Sequence, residues 1–316
     1  MSESALTAQQ LHVLMDAYEP LQDLNLRGGD YRGIELTRAR LERVDARGAD
    51  FTGASLKDCT FVSSNLCAAR FEGSTFTGVN LTDCSLDQAC LVGAQVANGV
   101  WLRCKGQELD LSQTSVKGLS VIDSQFPQLR LNGTHMATSQ WSKCLLPFMQ
   151  ASASRWSQSR LTDCHFDSPR LAGLVLHQCA FDGSTLLDAD FTACDSESAS
   201  FYKCQGQGAL FTNARLYKAI FAEGCFAGAD FTGACLDLSC LTGADLSDAQ
   251  LVRVSLQYAL CEALRAPRAA FIDANLMGAD FHGAQLSDCD WHGANRDAIR
   301  PEDSERLAAQ RWQPTL

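Results

Sequence analysis

Large apolar residues recur at every fifth position along most of this chain. In the stretch AEGCFAGADFTGACLDLSCLTGADLSDAQL, residues 222–251, they fall at Phe226, Phe231, Leu236, Leu241, Leu246 and Leu251. Neither regular element has that period. An amphipathic helix repeats its buried face every ~3.6 residues and a half-buried strand every second residue. On a helix, steps of five would turn each apolar side chain ~140° from the last. On a strand they would send successive side chains to opposite faces. The chain must therefore change direction inside every five-residue unit.

The frame holds without insertion from Leu21 to Trp291, broken in residue type only at Ala46, Gly106, Ala151, Ser196, Gly206, Cys261 and Ala266. The position two before the large residue is small, as at Ala49, Ala54, Cys59, Ser64, Ala69 and Ser74. The position two after it takes most of the 23 glycines, among them Gly53, Gly73, Gly183, Gly233, Gly243 and Gly283. Where Gly is missing, Asp or Asn often replaces it, as at Asp58, Asp83, Asp188 and Asn213. These residues tolerate positive φ, which a type II turn demands at its third residue. Each unit is thus a short extended piece and a corner, and four right-angled corners close a coil. Coils sharing strand-like hydrogen bonds stack at ~4.8 Å, so about 14 coils would extend roughly 65 Å. The large residue and the small one both point inward.

Three units show the full pattern: Ala229-Asp230-Phe231-Thr232-Gly233, Ala244-Asp245-Leu246-Ser247-Asp248 and Ala279-Asp280-Phe281-His282-Gly283. The chain resembles the pentapeptide repeat family over nearly its whole length. The resemblance implies an all-β solenoid, a right-handed quadrilateral β-helix. Reading every fourth unit adds a check. One wall collects Tyr31, Phe51, Phe71, Phe191, Phe211, Phe231, Phe271 and Trp291, and another Leu36, Leu56, Leu176, Leu216, Leu236, Leu256 and Leu276. Stacked coils would produce such columns.

A solenoid needs covers for its open ends. Residues 1–20 are read as an N-terminal cap. Thr7-Ala8-Gln9-Gln10 resembles a capping box, and Leu11, Leu14, Met15 and Tyr18 form an apolar helix face. The repeats occupy 21–296. Residues 297–316 form a second helical cap that starts near Pro301 and carries Leu307 and Trp312, or else a seam for a homodimer. The repeats weaken between 97 and 158, where Leu109, Leu119 and Leu129 replace small residues and Trp101, Trp141 and Trp156 fill inward slots. A distorted stretch of coils is expected there, without a separate domain.

Composition narrows the chemistry. No segment resembles a signal peptide and no apolar run is long enough to span a bilayer. Many of the 15 cysteines take the small inward slot, including Cys84, Cys104, Cys144 and Cys164. There Cys acts as a small hydrophobe, and stacked parallel side chains are badly aimed for a disulfide. Reduced thiols and a cytoplasmic location are expected. No C-x-x-C and no metal-ligand spacing among His12, His135, His165, His177, His282 and His292 is present. His282 and His292 are placed on the outside. No catalytic residues, metal or cofactor are assigned.

Surface recognition remains. A net charge of −11 disfavours direct contact with nucleic acid or an anionic membrane and permits a protein partner with a basic surface. Some members of the resembled family occupy the DNA site of gyrase, and others neutralise toxins. The first expectation is a bacterial immunity or antitoxin-type protein that covers the substrate site of a nuclease toxin or similar enzyme, in part by DNA mimicry. The alternatives are a topoisomerase-protecting protein and a scaffold or secretion-system accessory. The residues expected to bind are Asp188, Asp190, Glu197, Glu223, Asp230, Asp237 and Asp248, with Tyr217, Leu238 and Tyr258 as apolar anchors. A smaller apolar interruption stands at Leu145, Pro147 and Phe148.

Overall fold

The structure, a computed structural model, describes residues 4–16, 21–300, 303, 305 and 309. It is a parallel β-solenoid built in two compact units, Met1–Val175 and Leu176–Leu316. Every fifth residue from Asp23 to Ala298 has positive φ, whether or not it is glycine. This is the corner that the spacing demands.

The amides of one unit show why the corner repeats. Asp230 N–H donates to Ala209 O at 3.0 Å and Phe231 N–H to Gln250 O at 2.7 Å, joining the coils on either side. Gly233 N–H reaches Val252 O at 2.8 Å, and Ala234 N–H closes the corner on Phe231 O at 2.9 Å. The remaining amide, Thr232, donates to the Asp230 carboxylate at 2.8 Å. All five donors are satisfied, as buried backbone requires. The frequent Asp or Asn before the large residue is therefore a backbone acceptor, and the same bond recurs at Asp50, Asp190 and Asp245.

In the first unit the corners on two walls open into three-residue strands. One parallel sheet runs through Leu21–Gln22, Arg40–Glu42, Thr60–Val62, Asn80–Thr82, Val100–Leu102, Ser120–Ile122, Gln140–Ser142 and Arg160–Thr162. Register advances by 20 residues at each step, Leu41 to Phe61 to Leu81 to Trp101. A second ladder joins Thr75–Thr77, Gln95–Ala97, Ser115–Lys117, His135–Ala137 and Arg155–Ser157. The longer sheet counts about eight coils in this unit; the expected total of about 14 is not established by it. Open corners lack the closing bond, and small hydroxyl and thiol residues supply a substitute. Cys104 N–H donates to Ser124 Oγ at 3.0 Å and Leu119 N–H to Ser139 Oγ at 3.3 Å. The Cys84 thiol donates to Phe61 O at 3.5 Å and the Cys144 thiol to Val121 O at 3.6 Å, each one coil back. Cysteine there is more than a small hydrophobe. Burial pushes the Cys59 and Cys204 thiols up to about 12.

Through 97–158 the frame persists, and the strands pair in unbroken 20-residue register. Trp101, Trp141 and Trp156 are fully buried. Phe126 meets Trp101 and Trp141 edge to face at 6.3 Å, so bulk is traded between coils and the backbone keeps its frame.

The helix Ala8–Asp16 opens on a reciprocal capping box: Gln10 N–H donates to Thr7 Oγ1 and Thr7 N–H to Gln10 Oε1. Leu11 is buried, and Tyr31 on the first coil donates its hydroxyl to Leu6 O. Tyr18 and the expected C-terminal helix with Pro301, Leu307 and Trp312 lie outside the described residues.

In the second unit Phe191, Phe211 and Phe231 stack at 5.0 and 4.9 Å, as the column predicts. A second stack that the sequence reading did not single out, Phe181, Phe201 and Phe221, stands at 5.4 and 4.9 Å. Its rings meet the first stack edge to face, as Phe201 meets Phe211 at 5.5 Å. Gly206 occupies a large slot because Phe226, one coil on, fills its space. A Cβ on Gly206 would lie 2.4 Å from Phe226 Cε1, whereas a Cβ on Gly228, at φ +68°, would meet nothing within 4 Å.

These two glycines give a paired expectation. Gly206→Ala should destabilise by ~1–3 kcal/mol through overpacking and be relieved by Phe226→Leu in the same chain. Gly228→Ala should lose ~1–2 kcal/mol through backbone strain alone, with no relief from Phe226→Leu. Denaturant melts of the four variants decide it; equal relief at both sites would contradict the packing account.

Candidate functional site

Bridges in the second unit define four outward columns, one per wall: Asp195–Arg215–Cys235–Ser255, Ser200–Ile220–Cys240–Leu260, Gln205–Cys225–Asp245–Arg265 and Asp190–Leu210–Asp230–Gln250. This geometry distributes the sequence-predicted binding residues. Glu197, Tyr217, Asp237, Leu238 and Tyr258 share the first wall. Glu223 lies on the second, Asp188 and Asp248 on the third, and Asp190 and Asp230 on the fourth.

Several of these carboxylates already have structural work. Asp190 and Asp230 accept the amides of Thr192 and Thr232 at 3.0 and 2.8 Å. Asp237 accepts Gln257 N–H at 2.9 Å and the Ser255 hydroxyl at 2.5 Å, stitching one coil to the next. Glu223 accepts the Tyr202 hydroxyl at 3.1 Å and lies 3.3 Å from Lys203 Nζ. Asp248 is gripped by both arms of Arg268 at 2.6 Å, which hold its carboxyl below the usual carboxylate range. Asp188 is exposed and reaches over Gly208, and Glu197 is half-buried.

The pairing has a rule. An acid at one position meets an arginine 20 residues later, directly above it on the next coil. Asp195–Arg215, Asp245–Arg265 and Asp248–Arg268 follow it here, as do Asp23–Arg43, Asp50–Arg70 and Asp83–Arg103 in the first unit. This signal is readable from the sequence once the coil repeat is known. Exposed pairs contribute little stability, but they cancel charge locally. One stretch has no bases of its own: no Lys, Arg or His stands between Lys218 and Arg253, so Glu223, Asp245 and Asp248 are met from neighbouring coils by Lys203, Arg265 and Arg268, and Asp230 and Asp237 form no ion pair among the described residues.

The apolar anchors belong to a larger feature. Residues 218, 238 and 258 and residues 220, 240 and 260 flank one corner on three successive coils. Ile220 is 41 % exposed, Leu238 44 %, Tyr258 53 % and Leu260 45 %, with half-buried Cys240 between. Tyr217 borders them, with Lys218 Nζ 5.1 Å from its ring centroid. The Tyr258 ring lies across Gly278, where an added Cβ would fall 2.6 Å from the ring. Ile220 and Leu260 were not among the sequence-predicted anchors; the 20-residue column Ile220–Cys240–Leu260 is the signal that shows them. Leu238 and Tyr258 also hold φ of 58° and 56°, where a bulky side chain is disfavoured. Strained, exposed apolar residues are unfavourable to the isolated fold, which directs attention to a partner. In the first unit Leu145 and Phe148 are likewise exposed, but within one coil.

His282 corrects an expectation. It is buried at 3 % exposure, and the Asp303 N–H donates to its Nδ1 at 3.2 Å. Two open depressions lie at the terminal coils, one lined by Leu6, Gln10, Val13 and Leu14, the other by Phe281, Leu286, Trp291 and Ile299. Neither gathers a set of convergent ionisable groups. Among the described residues no His, Cys, Asp and Glu cluster has metal-binding geometry, and no helix is long and apolar enough to cross a membrane.

Two measurements check this description. Leu238→Gly should leave the melting temperature unchanged or raise it, because relief of ~1–2 kcal/mol of left-handed strain outweighs glycine's ~0.5–1 kcal/mol entropic cost; a clear drop would make Leu238 a structural residue. Arg268→Gln should return the Asp248 carboxyl to the ordinary titration range by carboxyl NMR. With Arg268 in place the pair's stabilisation is present above the unfolded-state pKa and is lost as pH falls through the depressed folded value.

A model for pentapeptide repeats matches the chain in eight copies, among them residues 21–58, 59–95, 199–237, 209–248 and 255–293. No curated protein matches the chain. Among solved structures, full-length QnrB1, a plasmid-mediated fluoroquinolone resistance protein, is 13 % identical over 91 % of this chain and 95 % of its own, with a TM-score of 0.31. HetL, a pentapeptide repeat protein involved in heterocyst differentiation regulation in Nostoc sp. strain PCC 7120, is 19 % identical over 92 % of this chain and 94 % of its own, with a TM-score of 0.26. The mannuronan C-5 epimerase AlgE6 A-module of Azotobacter vinelandii is 10 % identical over 96 % and 98 %, with a TM-score of 0.33. At such scores none of these likenesses bears on what this chain does. The repeat matches, the five-residue frame and the left-handed residue in every unit together establish that the chain belongs to the pentapeptide repeat family.

Proposed function

We propose that this protein is a non-enzymatic inhibitor that binds another protein through a basic surface, as an immunity or antitoxin-type partner of a nucleic-acid-acting toxin or enzyme. One observation carries the reading. Several acids in the chain meet an arginine one coil away, yet the 34 positions from Ala219 to Val252 hold five acids and no base, and Asp188, Asp190, Glu197, Asp230 and Asp237 form no ion pair among the described residues. A basic substrate groove offers the complementary potential, and steering by such a field speeds encounter and fixes register. Part of the acidity is structural, since Asp230 and Asp237 hold backbone amides. The recognition charge is therefore assigned to Asp188 and Glu197 first, with Asp190, Glu223, Asp230, Asp237 and Asp248 contributing to the field.

Affinity capture from the source organism, followed by mass spectrometry, tests it. The expected outcome is a nuclease or toxin domain retained at low salt, its yield falling as the Debye length shrinks to ~8 Å at physiological ionic strength. The double variant Asp188→Asn, Glu197→Gln should retain several-fold less of it. Recovery of gyrase would support topoisomerase protection in its place. Recovery of assembly components that bind wild type and variant equally would support a scaffold.

A further inference from the structure

The structure assigns a specific dock to the corner of the second unit formed by Ile220, Leu238, Cys240, Tyr258 and Leu260: we infer that it receives an amphipathic α-helix of the partner, apolar on one face and flanked by Lys or Arg. The inference rests on the basic-partner reading and adds the element that carries the affinity.

Three features select a helix. First, the backbone offers nothing for strand addition. Leu238 N–H is bonded to Gln257 O at 2.9 Å, Cys240 N–H to Ala219 O at 2.9 Å, Tyr258 N–H to Met277 O at 3.0 Å and Leu260 N–H to Ser239 O at 2.9 Å. A partner can engage only side chains, which excludes β-augmentation. Second, the spacing fits. Successive rungs of the stripe are one coil apart, ~4.8 Å. Anchors at i, i+3 or i+4 and i+7 of a helix advance by ~5.3 Å per step. Over three rungs the mismatch is ~1 Å, whereas alternate residues of a strand advance ~6.7 Å and fall out of step. Third, acids outnumber bases along the stripe. The central coil, with Leu238 and Cys240, lies wholly inside the base-free stretch, with Asp237 beside Leu238; Lys218, one coil from Leu238 in its column, is turned onto the Tyr217 ring. Glu262 stands two residues beyond Leu260 and Glu223 three beyond Ile220. Basic flanks are attracted, and a second copy of this same corner would be repelled.

The geometry also separates the dock from ordinary surface. Leu210 is as exposed as Ile220, at 41 %, but its column neighbours are Asp190 and Asp230. It is a single apolar residue, whereas the corner holds apolar side chains in two columns over three coils. Isolated exposure is normal; a contiguous cluster is where binding energy concentrates.

The probe is an 18-residue synthetic peptide with a leucine face and lysine flanks, labelled for fluorescence anisotropy. Two controls keep its length: one has serine in place of the leucine face, the other glutamate in place of the flanks. With the full-length protein, the leucine–lysine peptide should bind at least ~10-fold tighter than either control. The variant Leu238→Ser/Tyr258→Ser should bring it to the level of the serine-faced peptide, as should Ile220→Ser/Leu260→Ser. Leu210→Ser should leave binding unchanged, and the melting temperatures of all three variants show whether each is folded. Equal binding of the serine-faced peptide, or equal loss with Leu210→Ser, would overturn the dock while leaving the charge reading intact. Equal binding of the glutamate-flanked peptide would overturn the basic partner itself. Self-association in sedimentation velocity that disappears in Leu238→Ser/Tyr258→Ser, with no peptide binding, would replace the helix by a second copy and so also overturn the inference.

Discussion

The structure depends on one backbone constraint, a left-handed residue at every fifth position. It turns the chain at regular intervals, so that extended pieces only a few residues long return to register with the coil before and the coil after. Glycine meets the constraint most easily, yet Arg, Gln, Asp, Lys, Leu and Tyr also occupy the slot. Each such residue resists the left-handed region by ~1–2 kcal/mol. They are held there by ladder bonds on both sides and by a core in which large apolar side chains are almost completely buried. Local preference yields to cooperative stacking, as in other repeat architectures where each unit is stabilised mainly by its neighbours.

The same constraint decides where chemistry can occur. Inward positions are taken by rings and aliphatic chains, and the amides pair between coils, close corners or bond to Asp, Asn or Ser side chains. What is left is a set of outward side chains on a grid, five residues apart around the coil and one coil apart along it. On this grid an acid with arginine above it is neutral, an acid with nothing basic nearby projects charge, and an apolar residue above another apolar residue makes a stripe. Function is a matter of which columns break the ordinary pattern. In the second unit two breaks overlap: the run without bases and the apolar corner of Ile220, Leu238, Cys240, Tyr258 and Leu260, whose central coil lies inside that run. In Leu238 and Tyr258 the strained slot and the exposed apolar surface are the same residue.

Much of this was legible in the sequence. The corner could be placed at Gly233 and Asp248 alike from periodicity, and the inward stack of Phe191, Phe211 and Phe231 followed from the frame. What escaped depended on contacts between coils. Trp101 and Trp141 looked like distortion, but Phe126 and the neighbouring rungs absorb them without loss of register. Gly206 looked like a failed slot and is the space for Phe226. Asp237 looked like a free surface charge, while its carboxylate binds Gln257 one coil on. His282 was placed outside by its slot, but it is buried and accepts the N–H of Asp303 from beyond the repeats. Each miss has one origin: the frame specifies where a side chain starts, and its neighbour 20 residues away specifies what it touches. The apolar corner was partly seen, through Leu238 and Tyr258, because they are outward apolar neighbours in one column; Ile220 and Leu260, in the column across the corner, complete it.

The central claim is that recognition is confined to outward side chains around this corner of the second unit, with the interior and the terminal coils uninvolved. Hydroxyl-radical footprinting of the protein alone and in complex with its captured partner tests that most directly, because it reads side-chain exposure without relying on already protected amides. The account predicts loss of labelling at Tyr217, Ile220, Leu238, Tyr258 and Leu260, with Leu145, Phe148 and Val13 unchanged. Protection centred on Leu145 and Phe148 or at the terminal coils, with Leu238 and Tyr258 still labelled, would contradict it.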